Sequence, residues 1–164
     1  MARGSLGFEA LRPIPVQTGL TFQQVVVGES HSCGLTADST AWCWGRNWEG
    51  QLGAGDSVSS TAPRGVVGGL HFASLTLGNV TSCGLTAAGM AYCWGGGRSD
   101  VPSLEQPGTV FLTLTAGLGD RVCGVRADST IACRYVYPYA ASAHRPLPFP
   151  SAPRPPRRRV RGSM

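Results

Sequence analysis

The sequence repeats itself at a fixed interval of 50 residues. Phe22 and Phe72, Gly28 and Gly78, Cys33 and Cys83, Cys43 and Cys93, and Trp44 and Trp94 all obey that spacing. The run Ser32-Cys33-Gly34-Leu35-Thr36-Ala37 returns letter for letter from Ser82 to Ala87. A weaker third copy runs from Phe111 through Gly117 to Cys123-Gly124-Val125 and Ala132-Cys133. A lead-in also recurs, with Pro15 to Leu20 matching Gly65 to Leu70. Periods of this length are typical of propeller blades. A unit so small cannot bury both faces of its sheet, so neighbouring units must supply the missing contacts.

Each copy reads as strands. Val25-Val26-Val27 and Leu75-Thr76-Leu77 are strand-forming runs closed by Gly28 and Gly78. Cys33 to Thr36 and Thr40 to Trp44 then flank a turn at Ala37-Asp38-Ser39. Asp and Ser suit that turn because their side chains bond nearby backbone amides. The second copy has Gly89 there, which takes positive φ without steric cost. Trp42, Trp44, Tyr92 and Trp94 are the large groups expected to fill the space between units. With 23 Gly and 12 Pro among 164 residues, helices are disfavoured. No apolar run approaches the length of a membrane-spanning helix, and residues 1–7 lack the apolar core of a signal peptide.

Charge divides the chain in two. Residues 1–133 hold seven Arg against nine acids, a balance of −2; residues 134–164 hold seven Arg and no acid, +7; together they give the net +5. The expected organisation is a lead-in at 1–19 that ends a preceding blade, three repeats at 20–69, 70–110 and 111–133, and a Pro/Arg-rich disordered tail at 134–164. Within that tail, Arg157, Arg158 and Arg159 are the one basic run offered to nucleic acid, and only for weak binding.

Val25 to Thr36, then Trp42 to Asn47, then Gly50 to Gly53, resembles a repeat of the regulator of chromosome condensation type. The most specific stretch, Trp-Gly-x-Asn-x-x-Gly-Gln-Leu-Gly, occurs in full once, as Trp44, Gly45, Asn47, Gly50, Gln51, Leu52 and Gly53. Gly28, Gly78, Trp94 and Gly95 are the other repeat positions, and the resemblance extends over residues 13–133. It implies an all-β, seven-bladed propeller, of which this chain supplies about three blades. It leaves activity open, because members include a small-GTPase exchange factor, chromatin binders, a plant photoreceptor and β-lactamase inhibitors. The cysteine-bearing version resembles the bacterial, exported branch. The second copy departs from the pattern at Gly96-Gly97-Arg98, and the third ends in Cys133-Arg134-Tyr135. Three blades are too few to close a ring, so a fragment of a longer protein is expected.

The six cysteines form three pairs, Cys33/Cys43, Cys83/Cys93 and Cys123/Cys133, each ten residues apart. A hairpin centred on Asp38 sets Cys33 opposite Cys43, Gly34 opposite Trp42 and Leu35 opposite Ala41. Directly opposed residues lie near disulfide range, so three hairpin disulfides are expected, with buried free thiols as the alternative. Structural zinc uses closer cysteine spacings. His31 lies near Cys33, but Thr81 and Arg121 replace it in the other copies, which points to a structural role.

No nucleophile and base recur together. His31, His71 and His144 are scattered, and Asp38, Asp56 and Asp128 sit in turns. Gly95-Gly96-Gly97 lacks the Lys-Ser or Lys-Thr of a phosphate loop. The expectation is therefore a non-enzymatic protein-interaction module without metal or cofactor, from an exported bacterial protein placed outside the cell, in the periplasm or at the cell surface. The alternatives are a guanine-nucleotide exchange or chromatin-binding propeller, and a β-lactamase-inhibitory one. Arg46, Asn47, Trp48 and Glu49 form a loop beside the Trp-Gly turn, where Trp48 is expected to pack on the next blade. The expected partners are an unidentified protein and, through the open faces of the end blades, the chain itself.

Overall fold

A computed structural model describes residues 16, 19–117 and 119–135. Eleven strands follow in order: β1 Phe22–Val27, β2 His31–Thr36, β3 Ala41–Gly45, β4 Ser60–Gly65, β5 Ser74–Leu77, β6 Thr81–Leu85, β7 Ala91–Gly95, β8 Ser99–Glu105, β9 Phe111–Ala116, β10 Arg121–Arg126 and β11 Ile131–Tyr135. No helix occurs among the described residues. The strands form three antiparallel meanders, β1-β2-β3-β4, β5-β6-β7-β8 and β9-β10-β11. Strand β5 lies against β1 and β2, and β9 lies against β5 and β6, so consecutive sheets stack face on face from their first strands. This is a partial β-propeller of three blades.

The second and third strands of each blade pair as the repeat spacing implies. Cys33 faces Cys43, Gly34 faces Trp42 and Leu35 faces Ala41. The same register recurs with Cys83 opposite Cys93 and Cys123 opposite Cys133. All three pairs are disulfides, with Cα atoms 4.0–4.1 Å apart, and no described cysteine is free. The tight turn between these strands puts Ser39, Gly89 and Ser129 at φ of 65°, 77° and 66°, and the amide of each donates back across the turn. In the first and third copies an Asp two residues before a Thr steadies the turn: Asp38 accepts from the Thr40 hydroxyl at 2.9 Å and Asp128 from the Thr130 hydroxyl at 2.6 Å.

One contact explains the recurring Phe and Gly. Phe22 lies over Gly34, Phe72 over Gly84 and Phe111 over Gly124. A Cβ at Gly34 or Gly124 would sit 2.6 Å from the ring, so the glycine gives the phenyl group its seat on the sheet. The main core lies between the first two blades. There Cys33, Cys43, Leu35, Ala41 and Leu52 meet Phe72, Leu75, Leu77 and Trp94. Smaller clusters around Cys83, Cys93 and Val122, and around Leu85, Ala91 and Phe111, join the second blade to the third.

Two expectations need correction. The tail does not begin at residue 134, because β11 runs to Tyr135 and Arg134 pairs with Val122. The Arg134 guanidinium also donates to the buried Glu105 carboxylate of the second blade, which Arg98 approaches at 3.7 Å. The lead-in to residue 19, His144, and the run Arg157, Arg158, Arg159 lie outside the described residues, save Val16 and Gly19. Among the four aromatic groups expected between blades, Trp94 is wholly buried; Trp42, Trp44 and Tyr92 are half-buried.

Candidate interaction surface

The repeat-motif residues build a latch between the first two blades. Gly28 and Gly78 close β1 and β5, their amides donating to His31 and Thr81 carbonyls at 2.8 Å. Gly45 and Gly95 close β3 and β7 in the left-handed region, at φ of 111° and 86°. Past Gly45 the chain enters a loop organised by Asn47, which is fully buried. The Asn47 amide group donates to the Asp56 and Val58 carbonyls at 2.7 and 3.2 Å, and its oxygen accepts from the Leu52 amide at 2.8 Å. Arg64 clamps the far side of this loop by two 2.7 Å bonds to the Asp56 carboxylate. That guanidinium holds the Asp56 carboxyl down at about 2.

The loop then delivers Gln51, Leu52 and Gly53 to the second blade. The Gln51 carbonyl accepts from the Trp94 indole at 3.0 Å and from the Ser82 hydroxyl at 2.8 Å. Gly53 lies flat under the Trp94 ring, where a Cβ would come within 2.7 Å of the indole nitrogen. Gly50 passes against Asp100. The Ser82 oxygen has its own proton committed to Gln51, so it must accept from His31 Nε2, 2.8 Å away. His31, Ser82, Gln51 and Trp94 thus form one buried chain of hydrogen bonds that crosses the seam between the blades.

His31 is neutral in this setting. Burial lowers its pKa from 6.5 to about 4, against a smaller opposite pull from Asp120. His31, Ser82 and Asp120 superficially resemble a hydrolytic triad, yet Ser82 is fully buried and its hydroxyl proton is held by a carbonyl. Because the folded-state pKa is lowered, the unfolded chain takes up the proton first as pH falls. Stability is fully present above pH 6.5 and declines down to about pH 4, by up to roughly 3 kcal/mol. Urea midpoints compared at about pH 7.5 and about pH 4.5 should show this loss, and His31→Thr, the residue of the second copy, should flatten it. The lowered carboxyls of Asp38, Asp56 and Asp128 lose their contributions only at more acidic pH.

The outer side of the same loop is different. Trp48 does not pack on the next blade, as the sequence suggested; it is 66% exposed. Its ring carries the Arg46 guanidinium at 4.0 Å from the centroid. The reason lies in the latch: Asn47 and Gln51 turn inward to satisfy buried backbone groups, which forces Arg46 and Trp48 outward. Beside Trp48 a cleft of about 260 Å³ opens between this loop and the turn joining β7 to β8. Glu49, Arg98 and Asp100 bring charge of both signs to its walls. Backbone bonds join the two blades here, Gly97 amide to Glu49 carbonyl and Gly55 amide to Asp100 carbonyl, both 3.0 Å.

The fold and the latch define a class, the propeller built of repeated antiparallel blades. Residues 22–51 match the family model of the Regulator of chromosome condensation (RCC1) repeat. It is 36% identical over 56 residues to the ultraviolet-B receptor UVR8 of Arabidopsis thaliana, a match covering 33% of this chain and 13% of the receptor. The crystal structure of Kap60 bound to yeast RCC1 (Prp20) superposes with a TM-score of 0.60 at 20% identity, over 68% of this chain and 31% of that one. The ectodomain of the Physcomitrella patens receptor kinase CR4 superposes with a TM-score of 0.52 at 29% identity, over 73% of this chain and 31% of that one. The chain therefore spans about a third or less of the length of these relatives.

Proposed function

We propose that this chain is a non-enzymatic protein-interaction module of an exported protein, and that it captures its partner at the rim cleft beside Trp48. The observation that carries this reading is the exposed Trp48, its ring covered by the Arg46 guanidinium, beside a cleft between two blades. An aromatic group and an arginine held together at a surface are the residue types that dominate binding hot spots. The mixed charges of Glu49, Arg98 and Asp100 suit a polar peptide segment rather than a polyanion. Relatives support the class: yeast RCC1 is seen bound to Kap60, and the CR4 structure that superposes is the ectodomain of a receptor kinase. Three disulfides support an oxidising compartment and weigh against the exchange-factor and chromatin readings.

Selection of displayed peptides on the oxidised chain tests the reading. Peptides that bind the native protein should bind Trp48→Ala at least about tenfold more weakly, a loss on the hot-spot scale. The variant's stability should stay within about 0.5 kcal/mol of the parent, because the side chain is exposed. Peptides that bind both proteins equally would move the site elsewhere.

A further inference from the structure

Taking the cleft beside Trp48 as the docking site, we propose that it accepts a basic side chain, arginine or lysine, of an extended partner segment, held between the carboxylates of Glu49 and Asp100. The cleft arises from a difference between two copies of the repeat. The first blade joins β3 to β4 through residues 46–59, whereas the second joins β7 to β8 through residues 96–98 alone. Gly96-Gly97-Arg98 stands where the first copy has Arg46-Asn47-Trp48. A second long loop is missing there, and the space beside Trp48 stays open.

Two acids reach this space from opposite blades. Glu49 belongs to the long loop of the first blade and Asp100 to β8 of the second. Each lies against a glycine of the other blade. A Cβ on Gly97 would come within 3.0 Å of Glu49 Oε2, and one on Gly50 within 2.8 Å of the Asp100 Cα. The backbone around both acids is already bonded. The Glu49 amide donates to Gln51 Oε1 at 3.0 Å, and the Glu49 and Asp100 carbonyls accept the cross-blade bonds from Gly97 and Gly55. The carboxylates are different: among the described residues neither has a side-chain hydrogen bond or an ion pair.

The neighbouring cations are engaged elsewhere. The Arg46 guanidinium lies on the Trp48 ring, and Arg98 approaches the buried Glu105 carboxylate at 3.7 Å. The Ser99 hydroxyl is spent on the Val101 carbonyl at 2.7 Å. The unspent charge of the cleft is therefore negative, and it lies beside an aromatic ring. Two carboxylates lining one cleft repel each other, and a cation between them turns that repulsion into attraction. No group of three His, Cys, Asp or Glu able to hold a metal occurs among the described residues, so the fitting cation is organic. An ammonium or guanidinium group only donates hydrogen bonds, which two carboxylates can accept, and its stem packs on an indole. A volume of about 260 Å³ falls below the usual small-molecule site of roughly 300–1,000 Å³. It suits one long side chain whose main chain stays outside.

Peptides selected on the oxidised chain and lost on Trp48→Ala are the probe. They should share a basic residue, and replacing it by glutamine should weaken binding at least about tenfold. Glu49→Gln and Asp100→Asn should each weaken the unaltered peptide about fivefold or more, yet leave the affinity of the glutamine peptide unchanged, because the same contact is lost. Both variants should keep the circular dichroism and urea midpoint of the parent, since neither carboxylate bonds within the fold. Trp48-dependent peptides without a basic residue would overturn the proposal and leave the docking site standing. So would a basic residue whose replacement costs the same affinity on the parent and on both variants. If no peptide depends on Trp48, the docking site itself falls, and this proposal with it.

Discussion

Trp94→Ala is expected to cost about 3–5 kcal/mol, enough to unfold much of a protein of ordinary stability. Trp94 is 1% exposed and stands where three things converge: the Phe72 ring, the Gly53 backbone and the Gln51 carbonyl. Truncation opens a cavity between the blades and leaves that carbonyl with one donor where it had two. Urea unfolding followed by far-ultraviolet circular dichroism measures the loss. Trp94→Phe separates the two contributions, because it keeps most of the packing and removes only the indole donor, for roughly 1 kcal/mol. If Trp94→Ala costs no more than Trp94→Phe, the seam is not the principal store of stability.

Reduction of the disulfides should have an effect of similar size. Each bridge joins residues ten apart, and closing so short a loop restricts the unfolded chain by at most roughly 2.5–3 kcal/mol. Losing all three approaches the total stability of a small domain. The order of loss is set by burial. Cys33, Cys43, Cys83 and Cys93 lie in the seams, while Cys133 is exposed. A timed reduction with alkylation and mass spectrometry should find Cys123 and Cys133 labelled first, with most β-signal retained. The remaining four should follow together as the signal collapses. Simultaneous labelling of all six would show that the third blade does not open separately.

Much of the blade was legible because a repeat compares the sequence with itself. Identical spacing in three copies fixed the hairpin about Asp38, and with it Cys33 opposite Cys43 and Leu35 opposite Ala41. The outer strands β4 and β8 were not legible. They include Pro63 and Pro102 and bury little, which an edge strand tolerates because it bonds on one side only. The direction of Trp48 was misread because proximity to a motif says nothing about which side of a loop a residue takes. That direction follows from the inward hydrogen bonds of Asn47, which join residues nine to eleven positions apart. Ser82 was missed for a related reason. Its twin Ser32 is followed by the same five residues, and the buried His31 and the Gln51 carbonyl across the seam give Ser82 its role. Arg134 looked like the start of a basic tail because its partner Glu105 is 29 residues away, on a strand the sequence did not announce.

The seating of Phe22, Phe72 and Phe111 on Gly34, Gly84 and Gly124 has an evolutionary corollary. Each unit brings its own ring and its own glycine, so this contact is completed within a unit and never borrowed from a neighbour. An in-frame duplication of one unit therefore inserts a self-consistent layer, and a deletion removes one without orphaning a ring. Gene length in such a lineage can drift in whole units while the architecture of every layer survives.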